Sequence, residues 1–239
     1  MEYTKTGIAG VDEILDEKGI PTGDVIYLSG APGSGKTIFS IQFLYNGAVN
    51  QGEPGVYVTL DERPASVYRN VKVFGWDMEK LEEEGLLGVV DYSPIRRLPR
   101  DIKVKREFSL LRMIETIKKE VDRVEAKRIV IDPVTIMTLR YPSRMDRIEA
   151  VMDLHQALVD TDCTTVLGAE LRSSSLEREY ELEEYLSQGV ITLRSLPRPG
   201  GIIRVFQVEK MRGLKHDNQP HPYRIAEKGI VVYPKERVL

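Results

Sequence analysis

The segment GAPGSGKT, Gly30 to Thr37, constrains this chain more than any other. Two outer glycines separated by four residues are followed by Lys36 and Thr37, the pattern of a loop that wraps an anionic phosphate. Such a loop turns backbone N–H groups inward, and glycine allows the dihedrals and the close approach this requires. Lys36 offers a point charge for the outer phosphates, and Thr37 a hydroxyl for Mg2+. Gly30, Ala31, Pro32, Gly33, Ser34, Gly35, Lys36, Thr37 and Ile38 are therefore the candidate nucleotide site. A loop of this kind needs a strand before it and a helix after it. DVIYLS (Asp24 to Ser29) is a β-rich apolar run. TIFSIQFLYNGAV (Thr37 to Val49) places Ile38, Ile41, Leu44, Tyr45 and Ala48 at helical spacing. That helix would point its N-terminus at the anion.

The remainder of the chain alternates in the same way. Strands are expected at Gly55 to Leu60, Gly85 to Tyr92, Arg128 to Asp132 and Thr164 to Glu170. Helices are expected at Pro64 to Gly75, where proline starts and glycine stops the element, at Ser109 to Val124, and over RIEAVMDLHQALVDT, Arg147 to Thr161. Strand–helix–strand alternation predicts an α/β fold, a mostly parallel sheet with helices on both faces. After Gly189 the pattern changes. VITLRSL, IIRVFQVEKM and GIVVYP read as antiparallel strands, with RPGG (Arg198 to Gly201) turning between the first two.

The 239 residues suit one domain, residues 1–239, with a sizeable core. A net charge of −3 gives no global reason to expect nucleic acid. No apolar run is long enough to cross a bilayer, and the first residues do not read as a signal peptide. Cys163 is the only cysteine, which points to a cytoplasmic protein without an intrachain disulfide.

A parallel sheet gathers its chemistry at the carboxyl ends of its strands. Asp132 ends RIVID, where an acid can hold Mg2+ through water, the second metal-site candidate beside Thr37. Asp61 and Glu62 follow GVYVTL, where an acid can activate or orient an attacking water. Which of the two acts is left open, and Glu170, at the end of TTVLGAE, reads equally as a solvated strand-end acid. Lys210 and Arg212 lie two apart on an expected strand and so share a face. They are either solvated or aimed at an anion. His216, in a polar loop, is a nucleotide contact or simply exposed.

Taken together, these segments resemble a single KaiC-type domain of the RecA-like ATPase superfamily. The resemblance rests on TGIAGVDEIL, GAPGSGKT with IFSIQFLYNGA, VYVTLDERP, VFGWDMEKLEEEG, RIVIDPVT, VEKMRGLKH and PYRIAEKGIVVYP, and it runs nearly end to end. Asp61 stands where that family usually has Glu. KaiC itself has two such domains in tandem. The resemblance implies binding of ATP and ADP, an Mg2+-dependent ATPase and a homo-oligomeric ring, a hexamer. In the family, the stretch that holds Lys210 and Arg212 reaches the terminal phosphate bound by the neighbouring subunit. A DNA-driven machine of the recombinase or helicase type is the alternative, as is a nucleotide-gated scaffold with little turnover. LRYPSRMDR and IRRLPRDIKVKR are basic, but the later loop, with Glu177, Glu179, Glu181, Glu183 and Glu184, is acidic and would repel phosphate. Autophosphorylation is not expected. EEYLSQG puts Glu183, Glu184 and Tyr185 where hydroxyl acceptors would stand, with only Ser187 nearby.

Overall fold

The computed structural model describes residues 2–93, 110–141, 143–171, 181–198 and 200–238. The basic run Ile95 to Arg106, together with Arg172, Glu177, Arg178 and Glu179 of the acidic loop, lies outside them. The elements are β1 (Tyr3–Thr4), α1 (Val11–Ile14), β2 (Ile20–Pro21), β3 (Val25–Gly30), α2 (Lys36–Asn46), β4 (Gly55–Thr59), α3 (Pro64–Val71), α4 (Met78–Glu83) and β5 (Leu87–Asp91). They continue with α5 (Leu110–Val124), β6 (Arg128–Asp132), α6 (Thr135–Thr138), α7 (Arg144–Val159), β7 (Thr164–Glu170) and α8 (Leu182–Leu186). The last strands are β8 (Gly189–Arg198), β9 (Gly201–Met211), β10 (His221–Ala226) and β11 (Gly229–Val232).

Among the described residues the central sheet has nine strands, in the order β11-β10-β9-β8-β3-β7-β6-β4-β5. The pairs from β8 through β3, β7, β6 and β4 to β5 are parallel, and those among β8, β9, β10 and β11 are antiparallel. This is the expected parallel sheet with an antiparallel extension. The two faces are covered by different helices. On one face α1, α2, α3 and α4 pack against Leu28, Tyr57, Val130 and Val166, and Phe39 stacks on Phe206 with ring centroids 6.2 Å apart. On the other face α5, α6 and α7 cover Tyr27, Val58, Ile131 and Leu167. In α5 the buried Met113, Ile117, Val121 and Val124 follow helical spacing. Each such burial is worth about 1.5–3 kcal/mol.

Some boundaries differ from the sequence reading, for local reasons. Helix α2 opens at Lys36, and at Gly47–Gln51 it widens into a π turn instead of running on to Val49 as α-helix. A side chain at Gly47 could not fit there, because its Cβ would stand 2.3 Å from Arg128 Nε. The Arg128 guanidinium is fully buried. It bonds to Glu53 Oε2 at 2.6 Å and 2.8 Å, to Phe43 O at 2.7 Å and to Lys5 O at 2.8 Å. Helix α3 stops at Val71, and a tight 3-10 turn carries the chain on to Phe74. Helix α7 begins at Arg144, before the expected Arg147, because Ser143 Oγ accepts from Asp146 N at 3.0 Å. Glu184 belongs to no acidic lining. It is buried, and its carboxylate accepts from Glu181 N at 2.7 Å, capping α8. Ser187 is also buried, its Oγ donating to Glu183 O at 2.7 Å, so it offers no exposed acceptor hydroxyl.

Candidate functional site

The phosphate loop leaves β3 at Gly30 and runs into α2 at Lys36. Gly33 and Gly35 have φ of 77° and 93°, the left-handed region that favours glycine. Lys36 Nζ donates to Gly30 O at 2.7 Å. Burial pushes the pKa of this lysine down, against the negative fields of Asp132 and Glu170. Ile38, behind the loop, packs against the core.

Thr37 Oγ1 donates to Asp132 Oδ2 at 2.6 Å, so the hydroxyl and the carboxylate named from sequence meet. Asp132 is buried, and burial pushes its pKa up. The Thr37 hydrogen bond and the Lys36 charge pull it down, and Asp61 and Glu62 push it up further. The turn that carries Asp61 and Glu62 hangs from the same place. Thr59 pairs in register with Asp132, Leu60 N donates to Asp132 O at 3.1 Å, and Thr59 Oγ1 donates to Glu62 O at 2.6 Å. Glu62 is exposed and Asp61 half-buried.

The donor set fits Mg2+. A hydroxyl and a carboxylate are hard oxygen ligands, and Mg2+ is commonly bound by one or two carboxylates plus phosphates and water.

Several residues that brace the loop were not singled out from sequence. Tyr223 on β10 donates its hydroxyl to Ser34 O. Gln42 of α2 donates to Ile230 O at 3.2 Å and accepts from Ile230 N at 2.7 Å. A Cβ on Gly35 would lie 3.1 Å from Ile225 Cδ1. The β10–β11 hairpin therefore stands behind the loop of its own chain.

Lys210 and Arg212 are elsewhere. Met211 pairs with Gly189, which pairs with Ile26, near the start of β3, whereas the phosphate loop follows Gly30 at its end. About 13 Å of strand separates the two levels. Arg212 lies one residue beyond the end of β9, in the turn that follows, so the expectation that both cations share a strand face does not hold for it; the two cations nevertheless reach one place. Lys210 Nζ donates to Glu184 O at 2.9 Å, Tyr185 O at 3.1 Å and Ser187 O at 2.6 Å, and Arg212 donates to Tyr185 O at 3.2 Å. Those carbonyls end α8. His216 follows in the next turn, with Nδ1 3.1 Å from Leu214 O.

A phosphate loop at the carboxyl edge of a parallel sheet, with the acid on β6 reaching its threonine, defines a RecA-like P-loop nucleotide-binding protein. The family of KaiC ATPases matches residues 4–237, and the chain belongs to that family. It is 38% identical to a UPF0273 protein of Pyrococcus furiosus over 98% of this chain and 95% of the relative. It is 36% identical to the circadian clock oscillator protein KaiC of Parathermosynechococcus lividus, over 96% of this chain but only 42% of that longer protein. A crystal structure of a KaiC-like protein from Pyrococcus horikoshii superimposes with a TM-score of 0.84 at 36% identity, covering 98% of this chain and 99% of the other. Among the described residues no helix is long and apolar enough to cross a membrane.

Proposed function

We propose that residues 1–239 form one ATPase domain that hydrolyses ATP with Mg2+ and works as a homo-oligomeric ring, a hexamer, in the cytoplasm. The observation that carries this reading is the 2.6 Å contact between Thr37 and Asp132 beside Lys36. In it, the loop N–H groups and Lys36 bind and orient the phosphates of ATP. Thr37 and Asp132 would hold Mg2+, which supplies positive charge against the phosphoryl oxygens. Asp61 or Glu62 orients the attacking water and takes its proton.

Lys210 and Arg212 act on the nucleotide of the neighbouring subunit, where their charge favours phosphoryl transfer. They lie at the amino edge of the sheet, away from the loop of their own chain, so in this reading the nucleotide they serve is one bound by another subunit. His216, four residues beyond Arg212, would be a further contact from the neighbour.

The test is phosphate release with and without Mg2+, together with nucleotide binding by Lys36→Ala. Mg2+-dependent release is expected from wild type. The variant should bind ATP about 10–100-fold more weakly while keeping its fold, as loss of a charge-assisted contact implies. Wild-type affinity in Lys36→Ala would overturn the site, and binding without any hydrolysis would leave a nucleotide-gated scaffold.

A further inference from the structure

We propose that Gly168 is a positioning residue for Mg2+: the side chain missing from β7 is what lets Asp132 reach Thr37. The inference rests on the nucleotide site proposed above. The acid and the loop do not lie on neighbouring strands, because β7 runs between β3 and β6. The Asp132 side chain must therefore pass across β7 to meet the hydroxyl at the start of α2. The β7 residue at that level is Gly168, which pairs with Leu28 of β3 and follows Leu167, the partner of Ile131.

A Cβ on residue 168 would stand 2.4 Å from Asp132 Oδ1, 3.0 Å from Cγ and 3.3 Å from Cβ. Backbone conformation does not explain the glycine, since Gly168 is not among the residues with positive φ. A glycine inside a strand weakens it and commonly marks a close approach by another group. Here that group is the carboxylate. Neither partner has room to yield. Asp132 is buried with Oδ2 bonded to Thr37, and Gly168 O accepts from Val134 N at 2.8 Å, which ties β7 to the turn just after Asp132. Relieving the clash would move the carboxylate by about 1 Å, and a misplacement of that size has costs on the order of a hundredfold elsewhere.

The experiment compares wild type, Gly168→Ala, Asp132→Ala and the double variant by two readouts. The first is the Mg2+ concentration that half-saturates its effect on ATP binding, with ATP affinity in chelator measured alongside. The second is thermal unfolding in chelator. Gly168→Ala should need at least about tenfold more Mg2+, the range seen when groups that orient a metal ligand are disturbed. Its ATP affinity in chelator should stay unchanged. It should lower Tm in the wild-type background but not beside Asp132→Ala, where no carboxylate remains to be displaced. If Gly168→Ala fails to fold while the double variant folds, the inference also stands. An unchanged Mg2+ requirement, an equal Tm loss in both backgrounds, or failure of both variants to fold would overturn it. A wild-type chain whose ATP affinity ignores Mg2+ would overturn the site reading and this inference together.

Discussion

The hydroxyl of Tyr223 donates to the backbone carbonyl of Ser34, joining residues 189 apart in sequence inside the core. The β10–β11 hairpin thereby holds the phosphate loop at Ser34. Tyr223→Phe keeps the ring and removes only this bond, leaving a carbonyl of the loop without its donor. Stability should fall by about 1 kcal/mol, or roughly 2–4 °C in Tm for a chain of this size. ATP should bind severalfold more weakly. Calorimetry and nucleotide titration on the same variant check both, and unchanged affinity would mean that the hairpin braces the fold but not the loop.

The acid turn gives a second expectation. Glu62→Gln and Asp61→Asn should each bind ATP, and at least one should lose turnover by about two to four orders of magnitude. Glu62 is the more exposed of the two, and its backbone is the one held by Thr59. Single-turnover phosphate release separates binding from chemistry. Wild-type rates in both variants would place the water-orienting group elsewhere.

Asp24 should leave a signature in the pH dependence of stability. It lies at the amino edge before β3, and burial pushes its pKa from 3.8 up to about 6 against the pull of Arg212. Because the folded chain binds this proton more tightly than the unfolded one, stability falls as pH rises through the interval between those values and then levels. Asp24→Asn removes that loss. Its Tm advantage over wild type should be near zero at about pH 4 and reach its full size above about pH 7. Partial exposure holds the gain to about 1 kcal/mol at most. An advantage of constant size across this range would rule the assignment out.

Mixing two inactive chains tests sharing of the site. Lys36→Ala lacks the loop cation, and Arg212→Ala lacks one cation at the amino edge. In a mixed ring some interfaces join an intact loop to an intact pair, so part of the hydrolysis should return. If each chain completes its own site, mixing restores nothing. Light scattering on the same samples gives the mass of the assembly, and full activity from a monomer would defeat the shared site.

The sequence made legible whatever is local along the chain. Gly30 to Thr37 spell out the loop within one segment, and Asp132 ends a short apolar run, rich in β-branched residues, that reads as a buried strand. The antiparallel extension was visible from a change in periodicity after Gly189. What stayed hidden depends on distant partners. Gly168 reads as one more small residue until β7 is known to run between β3 and β6. Tyr223 and Gln42 look like ordinary strand and helix residues until the hairpin is placed behind the loop. Arg128, a charge at the start of a strand, reads as a boundary residue, yet its guanidinium is buried among carbonyls that no local pattern announces. Ser143 is the exception. It is a serine three residues before Asp146, and its capping of α7 could have been read directly.

Strand β9 and the turn that follows it bring Lys210 and Arg212 to the edge of the sheet opposite the phosphate loop. If these cations serve a neighbour, each chain has a giving end and a receiving end. An open row of copies then always finishes with a loop that no cation reaches, and the shorter the row, the larger the share of sites left incomplete. Bending the row until its ends meet removes that last defect without adding a single new contact type. The number of copies in the closed assembly would then follow from the angle at which one subunit presents its giving end relative to its receiving end, a matter of subunit shape instead of phosphate chemistry.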